Sequence, residues 1–303
     1  MTAFDRLDRL LAQPVSTRSQ GLVRMLVGAI TLLHLWPFAS EALRGTTYRD
    51  RFHQPYVDAL PDLPTRWYAS LMIVAMIAAA AMTIGLATKI ATGVTFTIVA
   101  YNLALSTTHL HNNRAYLVTV LLILALAPCG TAFSTDSWRR RRRGAVAAPT
   151  APGWTLWLLR LTSAVTYGAS GLSKLLDPDW FGGRVTWGRV VVQEAMVRDS
   201  LLPSAIADML LDRSFHTIAA KVIVLTELFI AVGLWSKRTR TAAVIAAAAF
   251  HITIEFSAEV QIFSFLGLAM LVAWADPSLP RLARSRRRWL PWPPVADVAE
   301  ATP

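Results

Sequence analysis

Lys174, Glu227 and His251 are the residues of this chain that most invite a chemical reading, because each is ionisable and each interrupts a long apolar run. An amine beside an apolar wall favours its neutral form, which is a base, so Lys174 is a candidate proton acceptor; the alternative is a lysine that snorkels to the water boundary. Glu227 lies well inside its apolar run, where a carboxyl either accepts protons or holds helices together through hydrogen bonds. His251 and Glu255 are i and i+4, so they share a helix face. His109, His111, Asn112 and Asn113 form a second polar group, and Glu259 and Gln261 a third. Imidazole and carboxylate also ligate metals. An H-x-H pair on a helix, however, points its rings to different sides, and no H-E-x-x-H spacing occurs, so no metal site is expected.

The elements that position these residues are set by composition. The 303 residues are 54 % hydrophobic and 16 % charged, against roughly 25 % charged in a typical soluble domain, which argues against a soluble enzyme. A hydrocarbon core about 30 Å thick needs roughly 20 apolar residues in a helix whose backbone satisfies itself. Eight segments fit: Ser19–Ala39, Trp67–Ala87, Ile90–Thr108, Ala115–Ala132, Trp154–Leu175, Phe215–Trp235, Thr239–Phe256 and Val260–Trp274. The first is long for a signal peptide and lacks an A-x-A site, so it reads as an uncleaved span. The expected fold is an all-α, multi-pass integral membrane protein of the plasma membrane with about eight transmembrane helices. Residues 1–18 form an N-terminal segment, 19–277 the membrane domain, and 278–303 a basic and then Pro/Ala-rich tail.

Thirty Lys and Arg against 19 Asp and Glu give a net charge of +11. Most of the basic residues, including Arg139 to Arg143, Lys237, Arg238, Arg240 and the group from Arg281 to Arg288, fall on the side of the amino terminus. Both termini are therefore expected in the cytoplasm. Such clusters also suit nucleic acid or anionic lipid, but they flank helix ends and read as topology signals, so the lipid bilayer is the expected partner and nucleic acid is not. Arg24 and Arg160, about six residues inside their helices, are within snorkelling reach of the cytoplasmic boundary. The outer ends then carry His109 to Asn113, Lys174, His251, Glu255, Glu259 and Gln261, while Glu227 sits near mid-membrane. Cys129 is the single cysteine and excludes an internal disulfide.

Three segments carry a resemblance: "HNNRAYL" (111–117), "GLSKLLDPDWFGG" (171–183) and "FHITIEFSAEVQIFSF" (250–265). In order and spacing the chain resembles the membrane domain shared by vitamin K-dependent gamma-carboxylase and its bacterial HTTM (horizontally transferred transmembrane) relatives, from about Ser16 to Pro277. The resemblance implies a lysine just before an acidic–x–acidic–Trp segment that deprotonates reduced vitamin K or a menaquinone-type hydroquinone. With O2 this chemistry removes a proton from a substrate glutamate, to which CO2 adds. Lys174, before "DPDW", matches that base; Asn112 and Asn113 match paired asparagines that position quinone or substrate; His251 and Glu227 match a family histidine and acidic residue. Lys174 and His251 are thus the catalytic candidates. His111, Asn112, Asn113, Asp177, Asp179, Trp180, Glu227 and Glu255 are the candidates for binding quinone or substrate. Arg114 departs from the pattern by standing where the carboxylase has a histidine, one extra residue separates Lys174 from Asp177, and the carboxylase's large lumenal region has no counterpart.

Two functions follow as expectations. The first is a membrane enzyme, a quinone-linked lyase of carboxylase or oxygenase type, that modifies a secreted peptide or other substrate at the outer face. The second is a non-enzymatic membrane factor for maturation of, or immunity to, a secreted toxic peptide, as in the sporulation-delaying protein B group, which the compact length resembles. A transporter would instead want broken helices and a polar path at the midplane.

Overall fold

The computed structural model describes residues 3–47, 56–145, 150–200, 202–258 and 262–274. Glu259, Gln261, the basic residues from Arg281 to Arg288 and the tail lie outside the described residues. Among the described residues fourteen α-helices follow one another: α1 (Ala3–Ala12), α2 (Arg18–Leu43), α3 (Thr65–Ile84), α4 (Thr88–Ala104), α5 (Asn112–Leu126), α6 (Thr135–Arg142), α7 (Trp154–Leu176), α8 (Pro178–Phe181), α9 (Arg184–Val191), α10 (Glu194–Arg198), α11 (Ser204–Leu211), α12 (Arg213–Gly233), α13 (Arg240–Ala258) and α14 (Phe263–Leu271). Two three-residue strands, β1 (Pro14–Ser16) and β2 (Thr150–Pro152), pair antiparallel with Val15 opposite Ala151. Each of the eight expected spans overlaps a helix, although α5 ends at Leu126, short of the expected Ala132, and α14 covers Phe263–Leu271. Among them α2, α3 and α12 are long and apolar enough, by length and composition, to cross a membrane.

The chain divides into two compact units, residues 1–159 with 272–303, and residues 160–271. In the first, α2 packs along α3, α3 along α4 and α4 along α5. The contact face of α3 is built from small and flexible residues, with Met72, Ala75, Ala79 and Met82 fully buried, so the helices approach closely. In the second, α12 packs against α13 and α13 against α14, and the short helices α8 and α9 pack on α12.

One end of the first unit is tied by a polar hub. Gly85 ends α3 with a φ of +70°, a left-handed conformation that favours glycine. A β-carbon there would also lie 2.3 Å from both the Arg24 guanidinium and the Ser134 side chain. Arg24 does not snorkel as its position in the sequence suggested. It is fully buried and donates to two backbone carbonyls, Met82 at 2.7 Å and Phe133 at 2.5 Å. The Met82 carbonyl also accepts from the Gly85 N–H at 3.2 Å, and the guanidinium adds a second, charged donor to it where water is absent.

Asp136, at the start of α6, completes the hub. Its carboxylate accepts from the Ala87 N–H at 2.9 Å and from the Thr88 N–H and hydroxyl at 2.7 Å each, and so caps α4 from a different helix. Partial burial pushes this carboxyl up, but the hydrogen bonds from Thr88 and Ala87, with the nearby Arg140, outweigh it and hold Asp136 below the usual carboxylate range. A depressed carboxyl contributes stability that is present above its unfolded pKa of about 3.9 and is lost as pH falls through the folded value. Asp136→Ala is therefore expected to lower stability at neutral pH by about 1 kcal/mol. In thermal unfolding of the detergent-solubilised protein, the gap from wild type should close as the pH is lowered through the acid range. A gap independent of pH would contradict the assignment.

Candidate functional site

The second unit brings together Lys174, Glu227 and a residue that sequence reasoning did not single out, Ser170. One face of α7 carries Ser163, Tyr167, Ser170, Gly171 and Lys174, a spacing of three and four residues that keeps them in register on a helix. Gly171 lets α12 approach: a β-carbon at this position would meet the Leu228 side chain at 3.0 Å and that of Glu227 at 3.2 Å. Lys174 Nζ then donates to Glu227 Oε1 at 2.6 Å and to Ser170 Oγ at 2.9 Å, while the Ser170 hydroxyl donates to the same carboxylate oxygen at 2.9 Å. The Glu227 side chain is 2 % exposed and that of Lys174 17 %. At such burial a charge-assisted contact is strong and an unpaired charge is expensive. The other oxygen, Oε2, is buried with no hydrogen-bond partner among the described residues.

The two partners were expected at different depths, Glu227 in the middle of its helix and Lys174 near the end of its own. They meet because the first turns of α12 run beside α8 and the start of α9 rather than beside α7. Thr217 donates to the Gly182 carbonyl at 3.1 Å, and Lys221 lies over the Phe181 ring at 5.6 Å. Asp177 and Asp179 shape this cap. Asp177 accepts from the backbone N–H groups of Asp179 and Trp180 as the N-cap of α8, and Asp179 pairs with Arg184. Their carboxylates position Trp180, whose ring centroid lies 4.9 Å from Lys174 Nζ, with Arg189 at 5.8 Å. The amine therefore sits between a buried carboxylate and an aromatic ring.

His251, fully buried on α13, is held by a second contact from α7: Tyr167 Oη lies 2.6 Å from its Nε2. Phe250 and Phe263 meet the imidazole edge to face at 5.6 and 5.3 Å. Gly267 on α14 makes room for the ring, since a β-carbon there would lie 2.0 Å from Nε2. Among the described residues Nδ1 of His251 and Oε2 of Glu255 are buried without hydrogen-bond partners. Tyr167 was not foreseen, although its spacing from Ser170 and Lys174 on one polar face is the signal that reveals it.

His111, Asn112 and Asn113 belong to the first unit. His111 is the N-cap of α5, its Nδ1 accepting from the Asn113 N–H at 3.3 Å, and Asn112 is exposed. Beside them Arg114 donates to the His109 carbonyl at 3.0 Å and lies over the Phe38 ring at 5.1 Å. His109 Nδ1 is 2.8 Å from the Asn102 carbonyl oxygen, and the Tyr68 hydroxyl donates to Asn102 Oδ1 at 2.6 Å. Phe38 stands edge-on to both His34 and His109. His34, Phe38, Tyr68 and Asn102 were not among the expected residues, because each reads in the sequence as an isolated polar or aromatic interruption. Among the described residues no group of His, Cys, Asp and Glu is arranged to hold a metal ion.

The HTTM domain pattern matches residues 12–278. The chain belongs to the HTTM family and is a membrane protein related to the gamma-carboxylase membrane domain. Neither the curated proteins nor the solved structures yield a match.

The buried pair generates a test of its own. Lys174→Met strands the Glu227 carboxylate and is expected to cost about 3 kcal/mol, whereas Lys174→Met with Glu227→Leu removes both charges and should recover most of that loss. Thermal unfolding in detergent measures the cycle. A double variant as unstable as the sum of the two single ones would show that the side chains do not interact.

Proposed function

We propose that the protein is an integral membrane enzyme in which Lys174 and Glu227 act together as a base toward a lipid-soluble hydroquinone of the vitamin K or menaquinone type. The observation that carries this reading is the 2.6 Å contact between an almost wholly buried carboxylate and an amine that remains 17 % exposed. In a site of low dielectric the pair has a net-neutral form with the proton on either partner. When the carboxyl holds it, Lys174 presents a neutral amine able to take a phenolic proton, and the resulting ammonium lies beside the oxygen that lost it. Ser170 fixes both partners. Trp180 offers a flat apolar wall at the amine, and the unpartnered Oε2 of Glu227 is a further acceptor for a hydroxyl. A reduced quinone with O2 supplies the oxidising chemistry, ending as quinone epoxide and water. His251, with Tyr167, is assigned to the substrate; a secreted peptide, and CO2 where carboxylation is the outcome, belong to the same reading.

The topology assigned to this enzyme is eight spans with both termini in the cytoplasm, which puts Lys174 at the outer side of the plasma membrane. A periplasmic-type phosphatase reporter is expected to be active when fused after residue 200 and inactive when fused after residue 143. The reverse pattern would overturn the orientation.

The chemical test is to give the purified protein a reduced naphthoquinone and oxygen and to measure the epoxide by mass spectrometry. Wild type and Arg160→Ala are expected to form it. Lys174→Ala, still inserted in the membrane, and the folded double variant Lys174→Met/Glu227→Leu should form none. Absence of epoxide with folded wild-type protein would favour the second reading, in which the Lys174–Glu227 pair is a structural clamp in a peptide-maturation or immunity factor.

A further inference from the structure

We infer that the Thr88 end of α4 holds an anionic glycerophospholipid, with its phosphate on Lys89 and Arg140 and an acyl chain along the notch at Gly93. This rests on the topology proposed above, which places that end of α4 at the cytoplasmic surface. The notch is an open groove of about 400 Å³ formed by Lys89, Ile90, Gly93, Val94, Thr97 and Ile98, all on one helix. Ile90 is 71 % exposed, so no other part of the described chain covers it. A β-carbon at Gly93 would meet nothing within 4 Å, so the missing side chain leaves space rather than admitting a neighbouring helix. The Thr97 hydroxyl turns back to the Gly93 carbonyl at 3.0 Å, which leaves its methyl group toward the groove and keeps the surface apolar.

Among the described residues, Lys89 and the arginines of α6 lie at the Thr88 end of that groove. Lys89 is the second residue of α4, and its neighbour Thr88 is bonded to Asp136, the residue that fixes α6 at this corner. Arg140, one turn further along α6, is close enough to Asp136 to lower the energy of its carboxylate and anchors one nitrogen on the Gly130 carbonyl at 2.8 Å. Asp136 bonds to the start of α4 and offsets only part of the positive charge of Lys89 and Arg139 to Arg143, so the corner stays net positive. Trp138 is 44 % exposed on the same short helix, with the Arg142 guanidinium 4.0 Å from its ring centroid, an arrangement suited to the headgroup layer. A cationic corner above an apolar groove some 13 Å long, at about 1.5 Å per residue from Lys89 to Ile98, matches the two chemically distinct parts of a phospholipid. A nucleic acid would use the arginines and leave the groove empty.

The experiment is native mass spectrometry of the full-length protein released from detergent, with phosphatidylglycerol or phosphatidylcholine of identical acyl chains added at equal concentration. Wild type is expected to retain phosphatidylglycerol in preference to phosphatidylcholine, and inorganic phosphate in excess should not displace it. Lys89→Ala should lower phosphatidylglycerol retention about fivefold, the effect of one basic residue near an anionic surface. Gly93→Leu fills the notch from a helical position with open space around it, leaves the fold intact and should reduce retention of either lipid. Equal retention of the two lipids by wild type, or unchanged phosphatidylglycerol retention in both variants, would overturn the site. Displacement by inorganic phosphate would show a free anion site instead and overturn it equally. None of these readings depends on Lys174, and the reporter fusions test the orientation separately, so a failed lipid site and a failed topology give different results.

Discussion

A carboxylate buried as deeply as that of Glu227 must find a partner, and the packing of residues 160–271 supplies one in Lys174. Glu227 cannot be moved to the surface without unwinding α12, so α7 brings Lys174 and Ser170 to it, and Gly171 thins α7 where the two helices touch. The short helices α8 and α9 then pack on the part of α12 that extends past α7. This places Trp180 over the amine, with the carboxylates of Asp177 and Asp179 holding the turn. An apolar replacement of both charges would pack as well or better. Stability alone does not account for the pair, which is why the proposed function gives it a proton to share.

The two units solve the same problem of buried polarity with different chemistry. In the second, titratable side chains face each other: lysine with glutamate, tyrosine with histidine. At the Arg24 hub of the first, charge is answered mostly by backbone, through the carbonyls of Met82 and Phe133 and the N–H groups of Ala87 and Thr88. Backbone partners do not exchange protons, and side-chain pairs do. This difference in partners is why the proposed function assigns proton transfer to Lys174 and an architectural role to Arg24.

Much of this was legible in the amino-acid order. Apolar runs of about 20 residues locate helices because a backbone in hydrocarbon has no other partner than itself, and all eight runs overlap helices. Lys174 and Glu227 stood out because charge in such runs is costly. Their meeting was not legible, since periodicity reports which residues share a face of one helix but not which helix lies opposite. Ser170 and Tyr167 were hidden for a related reason: a hydroxyl in a helix can turn back on the preceding carbonyl and vanish from the polarity pattern. Arg24 was misjudged because its distance from the helix end suggested an escape to water, whereas its acceptors come from turns 58 and 109 residues away in sequence. Asp177 and Asp179 read as binding residues, but their carboxylates are occupied by a helix start and an arginine.

Arg24 also sets an order of assembly. Its helix is synthesised before either of its acceptors, because Met82 lies in the last turn of α3 and Phe133 follows α5. Until α3 and the turn after α5 exist, the Arg24 guanidinium lacks both of these acceptors, and a charge at the centre of an apolar helix costs about 2.5–3.5 kcal/mol on insertion scales. That cost is relieved in two stages, first when α3 folds back on α2 and then when the turn after α5 arrives. The first unit consequently closes on a residue near its beginning using a segment from near its end, and a nascent chain halted before Phe133 carries an arginine with only half its acceptors, a ready target for membrane quality control.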